Sequence, residues 1–151
     1  MALSTEITAQ LKQYLAKLNS NVVIEAFVDE SEFSTNMSEL LVELAEMTEK
    51  ISLNIHKDTA ERTPSFKINK PNETTGIQFA GIPLGHEFSS LVLALFHVGE
   101  HSLKISEDLV GQIKNIEGDF FFETFISLSC HNCPDVVQAL NVLSLLNPNI
   151  S

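Results

Sequence analysis

Two cysteines occur in the 151 residues, and they stand in one C-x-x-C motif, Cys130-His131-Asn132-Cys133. Two thiols at this spacing can close a small ring, and one of them must ionise to attack. A C-x-x-C pair at a helix start puts both side chains at the end where free N–H groups and the helix dipole favour a thiolate. The thiolate is the nucleophile, so a thiol brought below its ordinary value of about 8.5 exchanges faster until nucleophilicity falls with it. On this reading Cys130 sits at the cap position and attacks, while Cys133 lies inside the first turn and resolves the mixed disulfide. His131 tunes the pair, because an imidazolium near the thiolate favours the reduced dithiol. Pro134 suits a first helical turn, where its missing N–H costs little. Two other readings stay open. Half a zinc site is one, although zinc needs about two further ligands; there is no third cysteine, and of the five histidines only His97 and His101 show ligand-like spacing. An inert pair of buried thiols is the other.

The motif needs elements that position it. Phe120 to Ser127 reads as a strand, and the helix after the motif runs through about Leu146, stopped by Asn147-Pro148-Asn149. A helix from Glu107 to Asn115, capped by Ser106, precedes that strand. The earlier residues hold a longer series. Ile7, Leu11, Tyr14, Leu15 and Leu18 form the stripe of a helix from Thr5 to Leu18. Val22 to Val28 reads as a buried strand. A second helix is expected from Met37 to Thr48, started by Asn36 with Glu39. Strands follow at Ile51 to His56, Ser65 to Ile68 and Ile77 to Ala80, then a helix from His86 to His97. The order α-β-α-β-β-β-α is that of one complete thioredoxin-like unit, and the second half repeats only its α-β-α opening. The expected class is therefore α/β and thioredoxin-like. Residues 1–99 would form a unit without the dithiol, and 100–151 a partial unit carrying it.

Bulk properties narrow the partners. The formal net charge is −11, which argues against nucleic acid and against an anionic membrane surface, both of which select clustered Lys and Arg. No apolar run approaches the roughly 20 residues needed to span a bilayer. The start shows no basic segment leading into an apolar one, so the expected address is the cytoplasm, where a lone cysteine pair is rarely a structural staple.

Long blocks of the sequence resemble a known family. Ser127-Leu128-Ser129-Cys130-His131-Asn132-Cys133-Pro134-Asp135-Val136-Val137-Gln138-Ala139-Leu140-Asn141 is similar to the signature of the N-terminal domain of the alkyl hydroperoxide reductase AhpF. Phe79-Ala80-Gly81-Ile82-Pro83-Leu84-Gly85-His86-Glu87-Phe88 and the residues through Leu95 agree, as do Pro64-Ser65-Phe66 and Gly118 to Thr124. The resemblance implies two fused thioredoxin-like folds, the first without a dithiol; Asp29-Glu30-Ser31, after the first strand, has no cysteine. It implies a carrier that passes electrons from a flavoprotein disulfide reductase to a peroxiredoxin, with Cys130 as the attacking thiol. It places Glu87 near the dithiol across a cleft; an ordinary solvated carboxylate at a helix start is the alternative. Pro64 resembles the proline that usually lies beside the dithiol, but in the half without cysteines, and either a cis bond or a trans proline at a sheet edge is expected there. No cofactor is expected in this chain: FAD and NAD(P)H would belong to the reductase module that follows in the family, and no G-x-G-x-x-G loop occurs here. The family domain also continues through further strands and a helix. Two expectations follow from that difference. The chain is either a working carrier or a non-catalytic interaction module whose thiols do not turn over. Its incomplete second unit would also be covered by a second copy, through strand-edge pairing or helix swapping.

Overall fold

The computed structural model describes residues 3–151. Helix α1 (Thr5–Leu15) opens on Ser4, whose hydroxyl accepts the Ile7 N–H, and it buries Leu11 and Leu15. It stops short of Leu18, but the turn beyond it tightens, with the Leu18 N–H donating to the Leu15 carbonyl, and Leu18 is still carried into the core. Strand β1 (Val22–Phe27) pairs in parallel with β2 (Ile51–His56) on one side and antiparallel with β3 (Ser65–Asn69) on the other. Strand β4 (Gln78–Ala80) continues antiparallel from β3, so the sheet order is β2-β1-β3-β4.

Alternation along β1 sorts the two faces of the sheet. Val22, Ile24 and Ala26 are buried, and the register sets Ala26 beside Phe66 and Ile24 beside Ile68. Helices α1, α2 (Glu32–Glu46) and α3 (Phe88–Val98) supply Leu11, Leu15, Leu40, Leu41, Leu44, Leu91 and Leu95 to the same core. The other face is polar and half open. There Glu25 accepts from Asn54 and meets His56, Phe27 stacks on His56, and Lys67 lies over the Phe27 ring.

Helix α2 begins at Glu32, not at Met37 as its apolar stripe suggests. Ser31 is the cap, its hydroxyl accepting the Ser34 N–H, so Asn36 falls inside the helix. The expected helix at His86 is preceded by a short 3-10 turn, Gly85–Glu87, before α3 proper. Helix α4 (Glu107–Lys114) is capped by Ser106 as expected. Helix α5 (Cys133–Leu146) packs along α3, and Val137 and Leu145 join the core built by the first half. Its far end is locked by polar contacts. The Asn147 amide donates to the carbonyls of Ile113 and Ile116, and the buried Ser144 hydroxyl lies 2.8 Å from the carbonyls of both Thr75 and Ile150. Gly76 passes so close that a β-carbon there would stand 2.5 Å from the Ser144 oxygen, and its φ of +79° is one that side chains disfavour.

The expected strand Phe120 to Ser127 does not form. One parallel bridge, Phe120 to Ile150, is all the pairing this stretch makes among the described residues. Around it Phe120 N–H donates to Asn149, Phe122 N–H to Ser151, and Ser151 N–H back to Phe120. A strand needs hydrogen-bonded neighbours along its length, and beyond Phe122 this stretch has none beside it among the described residues. It is extended and largely bare: Phe121 is 75 % exposed and Phe125 87 %. Among the described residues no helix is long and apolar enough to cross a membrane.

Candidate functional site

Cys130 and Cys133 are joined as a disulfide, with their Cα atoms 5.5 Å apart, and both are half-buried. Their local frame comes from three devices. Cys130 N–H donates to the Ser127 carbonyl at 3.0 Å, which turns the chain out of the extended stretch. Cys133 N–H then points at the Cys130 sulfur, 3.2 Å away. Pro134 follows in the first turn of α5, where no N–H is missed. The helix itself starts later than expected: Cys133 is its first residue, and Asn132, not Cys130, is the cap. Asn132 makes no capping bond with its side chain, so the Cys130 sulfur takes over that part from two residues further out. The consequence for chemistry is unchanged, since the sulfur of Cys130 still faces a free helix N–H, the environment that favours a thiolate.

The 3-10 turn Gly85–Glu87 closes one side of this site. It lies against α5, and His86 N–H donates to the Leu128 carbonyl at 3.1 Å, just ahead of the motif. The ring of His86 meets the ring of His131 with centroids 4.5 Å apart. Glu87 is not the solvated helix-start carboxylate of the simpler expectation. It is 0 % exposed, and neither carboxyl oxygen has a hydrogen-bond partner among the described residues. Burying such a group unpaired is costly, and its retention calls for a reason. Neither spacing nor residue type singles out His86 in the sequence; only its place next to Glu87, in a block resembling the family, points toward it.

Pro64 belongs to a different constellation. The Thr63–Pro64 bond is cis, and the Thr63 hydroxyl donates to Asp29 at 2.8 Å. Asp29 occupies the turn after β1, where the hydroxyls of Ser31 and Ser34 and the Ser31 N–H also donate to it. Those donors, the Ser31 hydroxyl foremost, hold its carboxyl far below the ordinary carboxylate range. The turn that carries cysteines in the second half thus carries an acid saturated by hydroxyls in the first. One ion pair links this loop to the second half, Arg62 with Glu123 at 2.7 Å. No group of three or more His, Cys, Asp or Glu side chains among the described residues is placed to hold a metal ion.

No family model matches the chain. A "NADH dehydrogenase" of Ferdinandcohnia aciditolerans is 52% identical over 151 residues, the whole of this chain and 29% of the relative. The alkyl hydroperoxide reductase AhpF of Staphylococcus aureus is 50% identical over 149 residues, 99% of this chain and again 29% of the relative. The chain therefore spans less than a third of the length of these relatives. Among solved structures, the NTD_N/C domain of alkylhydroperoxide reductase AhpF from Enterococcus faecalis superposes with a TM-score of 0.85 at 33% identity, covering 98% of this chain and 77% of that one. With that likeness over nearly the whole chain and the four-stranded thioredoxin-like sheet, the chain belongs to the family of the N-terminal domain of the alkyl hydroperoxide reductase AhpF.

Proposed function

We propose that the chain is a thiol–disulfide carrier of an alkyl hydroperoxide reductase system. It takes two electrons from a flavoprotein disulfide reductase and passes them to a peroxiredoxin in the cytoplasm. The observation that carries this reading is the half-buried Cys130–Cys133 disulfide at the start of α5, in a family named for that reductase. In the forward step the Cys130 thiolate attacks the partner's disulfide. The partner's S–S bond breaks, one partner sulfur leaves as thiolate, and a Cys130–partner disulfide forms. Cys133 then gives up its proton and attacks Cys130, releasing the partner's second sulfur. The partner gains two electrons, and the Cys130–Cys133 bond is restored. Cys130 is assigned the attack because its sulfur faces the Cys133 N–H at the helix start. His131 lies beside that sulfur in sequence, Pro134 supports the helix start, and Glu87 is the buried acid on the turn packed against α5. Pro64 is assigned to the Asp29 turn and not to the dithiol. FAD and a pyridine nucleotide belong to the reductase module of the longer proteins, outside this chain.

The test is a redox titration of the full chain with thiol counting and mass spectrometry. A reversible bond between Cys130 and Cys133 of the same molecule is expected, and Cys133→Ser accumulates a mixed disulfide with the peroxiredoxin through Cys130 while Cys130→Ser does not. Equal trapping by both variants overturns the assignment, and a dithiol that never closes overturns the carrier. The second part of the reading is self-association, supported by the bare Phe120 to Leu128 stretch, which presents an unpaired strand-like edge.

A further inference from the structure

The mechanism leaves His86 unused, yet this residue ties two parts of the site together. Its backbone N–H donates to the Leu128 carbonyl. The preceding Gly85 presses on that same carbonyl: a β-carbon on Gly85 would stand 2.8 Å from the Leu128 oxygen, and its φ is +57°. The 3-10 turn is thus seated on the loop that leads into Cys130. From that seat the His86 imidazole reaches the His131 imidazole, centroids 4.5 Å apart and tilted by 58°. This distance is at the close end of the range for aromatic pairs. Both residues are exposed, and for each the other is the one ring it meets among the described residues.

We infer that His86 is a positioning residue: it fixes the ring of His131, the residue next to Cys130 in the motif, and through His131 it favours the Cys130 thiolate. The inference rests on the carrier reading for its purpose, but not for its measurement, since the thiolate can be titrated whether or not the chain turns over. Other titratable groups lie on the same elements. Glu87 shares the 3-10 turn, Tyr14 of α1 lines the same groove as His86, Asp135 lies in the first turn of α5, and Cys130 and Cys133 are the thiols themselves. None of them is altered by exchanging the ring at position 86, which is why that exchange isolates the effect.

The experiment uses the full reduced chain with Cys133→Ser, so that thiolate absorbance against pH reports Cys130 alone. His86→Ala and His131→Ala are each expected to move the titration upward by about half a unit or more, roughly a threefold loss of thiolate on the acid side. The double variant is expected to shift no further than His131→Ala, because His86 acts through His131. His86→Phe, which keeps a ring against His131 without its nitrogens, is expected to retain most of the original profile. A His86→Ala profile identical to the parent overturns the inference, and so does a shift that adds fully to that of His131→Ala. If the parent chain fails to form its disulfide reversibly while these shifts appear, the carrier reading falls and the positioning role stands.

Discussion

Two turns of the molecule invite comparison because they are built alike and end differently. The first runs from β1 through Asp29 and Ser31 into α2; the second runs from Phe120 to Leu128 through Cys130 into α5. In both, a side chain three residues back accepts an N–H at the helix start: Ser31 from Ser34, and Cys130 from Cys133. In both, a parallel partner returns after the helix, Ile51 to Val22 and Ile150 to Phe120. The first pairing extends over all six residues of β1, and the second stops at one bridge. A helix start is settled by its neighbours within a turn, whereas a strand exists only where a second strand runs beside it. The pairs of like residues on the two sides therefore carry very different weights.

The largest difference should lie in phenylalanine. Phe66 is fully buried and stacks on Phe79, so Phe66→Ala is expected to cost about 3–5 kcal/mol in urea unfolding. Phe125→Ala, in the bare stretch, should stay within about 0.5 kcal/mol. Equal losses would show the stretch packed in solution. Light scattering across a concentration series sharpens this further: association that vanishes in Phe121→Ser/Phe125→Ser supports coverage by a second copy, and a monomer at every concentration removes it.

Glu87 gives the next effect, with the opposite sign. Glu87→Leu removes a buried carboxyl with no partner among the described residues, and stability is expected to rise by about 1–3 kcal/mol. If Glu87 serves the dithiol, the same variant should slow release of the mixed disulfide. A variant that is both more stable and equally fast would leave Glu87 without a part in exchange. At the first turn, Asp29 is held far below its ordinary range by its hydroxyl donors. Its stabilising effect is therefore complete above the unfolded value of about 3.9 and fades as the pH falls below it. Asp29→Asn should flatten the acid limb of the stability profile below about pH 4, and a limb unchanged by the substitution would place the acid sensitivity elsewhere. The smallest effect concerns the link between the halves. Arg62→Ala removes a largely exposed ion pair with Glu123, and no more than about 1 kcal/mol should be lost. A larger loss would mean that this pair, and not α5 on α3, holds the extended stretch in place.

Much of the molecule was legible in its residues. The stripe of Leu11 and Leu15, the Ser106 cap and the apolar run of the first strand each depend on residues within a turn or a strand, so local pattern was enough; that only alternate residues of Val22 to Phe27 are buried was decided by the sheet. The C-x-x-C spacing, followed by Pro134, showed that a helix begins at the paired thiols, although its cap is Asn132 and not Cys130. The early start of α2 escaped because Asn36 and Glu39 also fit a capping pattern, and the choice went to Ser31, whose turn is organised by Asp29 and by Thr63 from another loop. Only tertiary structure decided the rest. Glu87 has the look of a surface carboxylate at a helix start, and it is buried on a turn that packs against α5. His86 and His131 stand far apart along the chain, and packing alone brings their rings together. Phe120 to Ser127 has every residue type of a strand, yet it is not one: propensity describes what a segment would be if paired, and pairing is a property of two segments.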